Sequence, residues 1–319
     1  MPDQSLRFYV GVTDDEWFAF LTRIRPDEVN FWRPRAKTGF RAIAAGEPFL
    51  FKLHHPRNYI VGGGFLVRHS TLPLSFAWET FREKNGAPSY DLLARMIAKH
   101  RRGQVDFERD PLIGCTVLTS PFFLPERDWI KVPENFHLNL VRGKRYSTQE
   151  PIGARLWAEV QERLSRYDWP LTTITTNDEL VADPTRRYGT PQIIQPRLGQ
   201  GGFRVLVTEA YGRRCAITGE RTLPVLQAAH IKPYEDAGPH RLNNGLLLRS
   251  DLHILLDRGL ITLTNDLKVR VSHRIKEEYE NGRDYYAFDT KPLAFRPNRV
   301  SDRPSREFLD WHNENVFRD

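Results

Sequence analysis

His230, Asn244 and His253 stand 14 and 9 residues apart, and each is of a type that can work on a phosphate ester. His230 closes the apolar run LQAAH and opens onto a loop holding Pro233, Gly238 and Pro239. Asn244 stands at the far end of that loop. His253 falls in SDLHILLDRG, a short predicted helix with Ser250 as N-cap and Gly259 as stop. Cutting a phosphodiester requires that water be deprotonated, charge at phosphorus be neutralised and the leaving oxygen be stabilised. An imidazole beside a phosphate can take the proton at neutral pH, and a divalent cation can supply the rest. His253 and Asp257 are four residues apart, so a helix projects both from one face and offers an ion an imidazole and a carboxylate. Asn244 has no basic group, but its amide can tie the loop to neighbouring backbone and orient His230. Each residue also has a plainer reading: His230 as a satisfied core histidine, Asn243-Asn244 as a turn, and Asp257 as a helix-end residue paired with Arg258 or Arg249.

The elements that must position these groups are short. Phe203–Tyr211 reads as a helix closed by Gly212. A strand ends at His230, a second covers Gly245–Leu248, and the helix 251–258 follows. Strands at 260–264 and 267–272 are joined by Asn265-Asp266, and Pro304–Phe317 reads as a closing helix. Upstream, Pro151–Tyr167 has helical apolar spacing. Residues 168–200 repeat Pro, Thr, Gly and charge, as an interdomain linker does. In the first region, Leu6–Val12, Pro48–Lys52, Tyr59–Val67, Leu112–Leu118 and Trp129–Val132 are strand candidates. Thr13 is the expected cap of a helix, and Ser75–Asn85 and Ser89–Lys99 are two more helices. Gly62-Gly63-Gly64 lacks a following Gly-Lys-Ser/Thr and sits among β-like residues, which makes it a bulge or tight bend. The whole is an α+β chain with a small, partly open β-barrel, divided as 1–165, a linker at 166–200, and 201–319.

Composition bounds the rest. The chain has 319 residues, net charge +7 and pI about 9.4, a modest excess suited to a polyanion. From Phe31 to Arg68, seven bases (Arg33, Arg35, Lys37, Arg41, Lys52, Arg57 and Arg68) face one acid, Glu47. Phe31, Trp32, Phe40, Phe49 and Phe51 lie among them, a mixture that serves phosphate contact and base stacking. No apolar run approaches the ~18 residues of a membrane span, and MPDQSLRFYVGVTDDEW lacks the pattern of a secretory leader. Cys115 and Cys215 give no disulfide framework, and a reducing cytoplasm is the expected compartment.

The segments FRVLVTEAYGRRCAITG, AAHIKPY, NNGLLLRSDLH and LLDRGLITL, taken in order over roughly 197–273, resemble the HNH endonucleases. That resemblance implies a ββα-metal unit in which His230 is the general base, Asn244 organises the loop and His253 ligates the ion. Asp257 falls where some relatives carry a further ligand. It also implies a divalent ion, Mg²⁺ or Mn²⁺, with Co²⁺ or Ni²⁺ admitted by an imidazole ligand. Two positions depart from the family pattern. Ala229 stands where many HNH enzymes place another ligand, and Thr218 stands where a second zinc-knuckle Cys would follow Cys215, so no structural zinc is expected. FYVGVTDDEWFAFL, NFWRPRA, EPFLFKLHHPRNYIVGGGFL and SFAWETFREKNG resemble the EVE branch of PUA-like domains, which hold a modified base in an aromatic-walled pocket. Trp32 is the first candidate wall, flanked by Asn30, Arg33 and Arg35. Trp78 and Trp129 are either further walls or core, and Asn30 or Ser75 could read a base edge. A PUA-like reader joined to an HNH cutter implies a modification-dependent endonuclease acting as a homodimer on double-stranded DNA that carries 5-methyl- or 5-hydroxymethylcytosine. The rivals are a catalytically degenerate reader, for which Ala229 speaks, an RNA-directed enzyme, and an HNH nuclease indifferent to modification.

Overall fold

Alternate residues of the first strand serve two different cores. In β1 (Arg7–Thr13), Phe8 and Val10 join a cluster with Leu50, Phe122, Trp157 and Val160, whereas Tyr9 joins one with Trp17, Phe18, Phe31 and Phe49. Successive side chains of a strand point to opposite faces, so a sheet covered on both sides reads as a nearly continuous apolar run. The computed structural model describes residues 5–35, 40–101, 110–137, 140, 142–167 and 198–319, in two units, Met1–Arg197 and Leu198–Asp319. Lys37 and nearly all of the expected linker lie outside the described residues.

In the first unit, β1 is followed by α1 (Asp15–Ile24), β2 (Glu28–Arg33), β3 (Pro48–Leu53) and β4 (Tyr59–Pro73). Then come α2 (Leu74–Phe81), α3 (Tyr90–Arg101), β5 (Leu112–Phe123), β6 (Ile130–Lys131), β7 (Gly143–Ser147) and α4 (Pro151–Ser165). The strands form one open sheet in the order β2-β5-β4-β3-β1-β7, with β6 paired to β4. The β1–β3 pair is parallel and the other pairs are antiparallel. This is the α+β, partly open sheet expected from the sequence. Helix α4 contributes Leu156, Trp157, Val160 and Leu164 to one core, and α1 contributes Trp17, Phe18 and Leu21 to the other. The cap of α1 is Asp14, not Thr13: its Oδ1 accepts from the amides of Glu16 at 2.8 Å and Trp17 at 3.4 Å. The glycine run lies within β4, beside a register shift against β5 between Gly63 and Phe65, and a Cβ at Gly62 would sit 2.2 Å from the carbonyl oxygen of Phe122. Close backbone approach, not phosphate binding, is what these glycines permit.

The second unit runs α5 (Gln200–Ala210), β8 (Leu226–His230), β9 (Gly245–Arg249), α6 (Ser250–Asp257), β10 (Ile261–Leu263), β11 (Val269–Val271), α7 (Arg274–Tyr279), α8 (Arg283–Tyr286) and α9 (Arg306–Asn315). The order β8, β9, α6 is a ββα unit. Phe203 and Val207 of α5 and Tyr211 just after it, Leu246–Leu248 of β9, Leu252 and Leu256 of α6, and Phe308 and Leu309 of α9 share one core. His312 of α9 is fully buried. Its Nε2 donates to the Leu256 carbonyl at 3.1 Å and its Nδ1 lies 2.9 Å from Thr262 Oγ1, which fastens the closing helix to α6 and β10. Ser250 is the first residue of α6 and not its cap; Arg249 occupies that position with no side-chain capping bond. Among the described residues, no helix is long and apolar enough to cross a membrane.

Gly245 pairs with His230 across β8–β9, and a Cβ there would come within 2.5 Å of Val207 Cγ2 and 3.1 Å of the Phe203 ring. Gly245→Ala should therefore cost ~1–3 kcal/mol through overpacking. A urea titration would show it as a lowered midpoint at unchanged slope, and an unmoved midpoint would mean that this contact is not tight.

Candidate active site in the C-terminal unit

The antiparallel pair β8–β9 sets His230 directly opposite Gly245, so the strand-end histidine and the residue after Asn244 share one register position. The intervening loop is closed by Asn244, whose side chain is fully buried. Its Oδ1 accepts the Lys232 amide at 2.9 Å, while Nδ2 donates to the carbonyls of Lys232 at 2.9 Å and Pro239 at 3.0 Å. A buried amide that left these bonds unmade would cost ~1–3 kcal/mol, so the loop is held to one course.

His230 is half-buried, with its ring stacked on Phe203 at 3.9 Å between centroids and 10° between planes. Its Nε2 lies 2.9 Å from Nδ1 of His240. Tyr234 in turn stacks on His240 at 4.6 Å and 6°. Burial, then the neighbouring His240 and His253, push the His230 pKa down to about 4. The ring is thus neutral at pH 7 and able to accept a proton. A phosphate anion arriving beside it would raise its affinity for that proton, because an opposite charge favours the charged form.

On α6, His253 and Asp257 lie one turn apart, with Nε2 and Oδ2 separated by 3.4 Å. The side-chain oxygen of Gln227, on β8, lies 2.7 Å from His253 Nδ1. An amide oxygen only accepts, so Nδ1 carries the proton and the lone pair of Nε2 is turned to the Asp257 side. Desolvation raises the Asp257 pKa, and His253 opposes that rise. Arg249, an alternative partner for Asp257, instead forks onto Asp251 at 2.7 and 2.6 Å. One imidazole nitrogen and one carboxylate fit two positions of a divalent ion, and no group of three or more His, Cys, Asp or Glu suited to a metal occurs among the described residues. Ala229 is fully buried in the core and offers no ligand. Water and phosphate oxygens would therefore complete the shell of an ion here. Cys215 is buried in the same core, where its Sγ accepts from the amides of Thr218 at 3.5 Å and Arg249 at 3.4 Å.

Residues 215–264 match the family model of the HNH endonucleases. The second unit is an HNH endonuclease domain. It is thereby a nuclease unit acting on phosphodiester bonds, and the matched span contains His230, Asn244, His253 and Asp257. No curated protein matches the chain. Solved structures similar to it include the ASCH protein from Zymomonas mobilis, at 13% identity over 47% of this chain and 94% of that one, TM-score 0.32. The modification-dependent TagI restriction endonuclease is similar at 14% identity over 91% of this chain and 75% of that one, TM-score 0.26.

The residues expected to recognise a base do not form one wall. Asn30 and Trp32, two residues apart on β2, share one face of the strand, and Arg33 points to the other. Asn30 is fully buried, with Nδ2 donating to Asn85 Oδ1 at 2.8 Å, which removes it from the reach of a base edge. Trp32 is half-buried, and its Nε1 donates to the Asn85 carbonyl at 3.0 Å. Arg33 instead lies 5.0 Å above the Phe40 ring. Arg35 is exposed and donates to the Arg101 carbonyl at 3.0 Å. Trp78 is half-buried on α2, and Ser75 caps onto Asp110, its Oγ donating at 2.5 Å. Trp129 is half-buried, packs against the core near Phe18 and Tyr59, and donates Nε1–H to the Leu124 carbonyl. Lys52, one of the seven bases, is buried and bonded to Asn58 at 2.7 Å. The basic stretch is therefore not a single phosphate-facing surface.

Sequence reasoning missed Phe203, Gln227, Tyr234 and His240 as parts of this site. Gln227 sits in the same strand as His230, but only the packing of α6 on β8 reveals that it meets His253.

Two outcomes follow. Asn244→Ala should lower stability by ~1–3 kcal/mol, since it strands the Lys232 amide and two carbonyls, and an unchanged denaturation midpoint would remove the loop-closing role. The second concerns acid. The folded pKa of His230 lies below its unfolded value of about 6.5, so the unfolded state binds the extra proton first. Stability from this group is full above pH 6.5 and falls away between 6.5 and about 4. Over that window, wild type should lose more stability than His230→Gln, by ~1–2 kcal/mol once solvent screening of the partly exposed ring is included. Parallel stability curves would refute the shift.

Proposed function

We propose that the chain is a modification-dependent DNA endonuclease: the HNH unit hydrolyses a phosphodiester, and the first unit selects DNA bearing a modified cytosine. The observation that carries the nuclease half is the family match across a ββα unit that sets neutral His230 beside a His253–Asp257 pair. In this reading His230 takes a proton from water, the water oxygen attacks phosphorus, and the bond to the leaving oxygen breaks as that oxygen takes a proton from solvent. Nε2 of His253 and Oδ2 of Asp257 would hold a divalent ion, Mg²⁺ or Mn²⁺ in the first place. Bound there, such an ion supplies Lewis-acid neutralisation of phosphate charge. Asn244 keeps the loop, and with it the His230 ring, in one orientation.

The selection half rests on the resemblance of the first region to EVE-type readers, and on Trp32, a half-buried ring on the edge strand β2 with exposed Arg35 nearby in sequence. Inspecting a base in a duplex requires flipping it out, which costs a few kcal/mol. Stacking on an aromatic ring returns ~1–3 kcal/mol. Among the described residues there is one ββα unit, so a double-strand break would take two chains or two successive nicks, and a homodimer on DNA is the reading we favour. Two free, buried thiols suit the cytoplasm. The degenerate-reader alternative draws on a single observation, the small donor set left by Ala229.

The test uses purified protein with Mg²⁺ or Mn²⁺ and three otherwise identical duplexes carrying cytosine, 5-methylcytosine or 5-hydroxymethylcytosine. Cutting should be confined to a modified duplex and should fall at least ~10²-fold in His230→Ala. Equal cutting of all three contradicts the modified-base reading, and binding of modified DNA without cutting by any ion favours the degenerate reader.

A further inference from the structure

His240 was not singled out by the sequence, yet its Nδ1 is the hydrogen-bond partner of His230 Nε2 at 2.9 Å. Each ring of this pair is clamped by an aromatic face: His230 by Phe203 at 3.9 Å, His240 by Tyr234 at 4.6 Å. His230 ends β8 and His240 lies in the loop that follows, whose course Asn244 fixes through Lys232 and Pro239, the residue preceding His240. The contact is therefore built by packing on both sides.

One proton lies in a bond between two neutral imidazoles, and either ring can supply it. If His240 donates, His230 carries its proton on Nδ1 and its only lone pair is used up in the bond, so it is no base. If His230 donates from Nε2, its lone pair stays on Nδ1, the nitrogen left outside the bond. A second proton, taken from water onto Nδ1, then makes Nε2–H a charged donor, and the bond to His240 tightens. We propose that His240 is a positioning residue for the general base, whose Nδ1 accepts the Nε2 proton of His230 and so holds the base lone pair on His230 Nδ1. The arrangement is that of a base oriented by a third group, with an imidazole where a carboxylate is more usual. The inference rests on His230 being the general base of the proposed nuclease.

Two substitutions separate the acceptor nitrogen from the ring. His240→Phe keeps an aromatic face for Tyr234 and removes the nitrogen. His240→Asn removes the ring and returns an acceptor oxygen near the same place. Long-range ¹H–¹⁵N spectra of the full chain at pH 7, without nucleic acid, report the tautomer of His230 directly. Wild type and His240→Asn should show His230 protonated on Nε2, and His240→Phe should shift it towards Nδ1. In cleavage assays, His240→Phe should lose about 10- to 100-fold in kcat, within the range of general-base contributions, with KM nearly unchanged, and His240→Asn should recover most of that loss. His230 found protonated on Nδ1 in wild type, or a His240→Phe protein with the wild-type tautomer and kcat, overturns the proposal. The spectra need no substrate, so they stand even if the chain cuts none of the DNAs offered.

Discussion

A single buried amide organises the second unit. Asn244 cannot reach water, so its oxygen and nitrogen must find partners inside the protein, and they find them at Lys232 and Pro239. Those partners lie at two points of the loop that separates β8 from β9. Satisfying the amide thus brings the loop back on itself and ends the β8–β9 ladder with His230 opposite Gly245. The stacking of Phe203 on His230 and of Tyr234 on His240 then leaves the two imidazoles little freedom. The same strand sends Gln227 to His253, so both halves of the site hang on β8.

The electrostatics agree with this division of labour. His230 is kept neutral by burial and by neighbouring imidazoles, which suits a group that must begin by accepting a proton. His253 and Asp257 sit on the more open face of α6, where an ion can arrive with part of its water shell. With Ala229 in the core, the protein would give such an ion few ligands, and under the proposed function phosphate oxygens would complete its shell. Ion binding and substrate binding would then be coupled by chemistry rather than by any moving part.

The sequence made the ββα unit legible because its signals are local. A strand ending in His, a turn-rich loop closed by Asn, and a His and Asp at helical spacing can each be read within a few residues. The partners of the base could not be read that way. His240 lies ten residues beyond His230 in a loop without periodicity, and the contact exists only once Asn244 closes that loop. In the first unit, the order of most strands was readable from apolar runs, but β2 was not. Its alternate residues Glu28 and Asn30 are polar and yet fully buried, held by Lys84 at 3.1 Å and Asn85 at 2.8 Å. A strand whose inward face is satisfied by side-chain hydrogen bonds looks like an exposed recognition segment in sequence. The sequence therefore groups Asn30, Trp32 and Arg33, although the pleat turns Arg33 to the face opposite Asn30 and Trp32, which both bond to Asn85.

The proposed function requires α6 to hold a divalent ion. Pulsed EPR of Mn²⁺ bound to the full chain measures this through the nitrogen hyperfine coupling of an imidazole ligand. With the proposed ion site, such coupling should appear in the wild-type protein and be lost in His253→Ala, with weaker ion binding in Asp257→Ala. Mn²⁺ that shows no nitrogen coupling, or the same coupling after His253 is replaced, would contradict the site described for this unit.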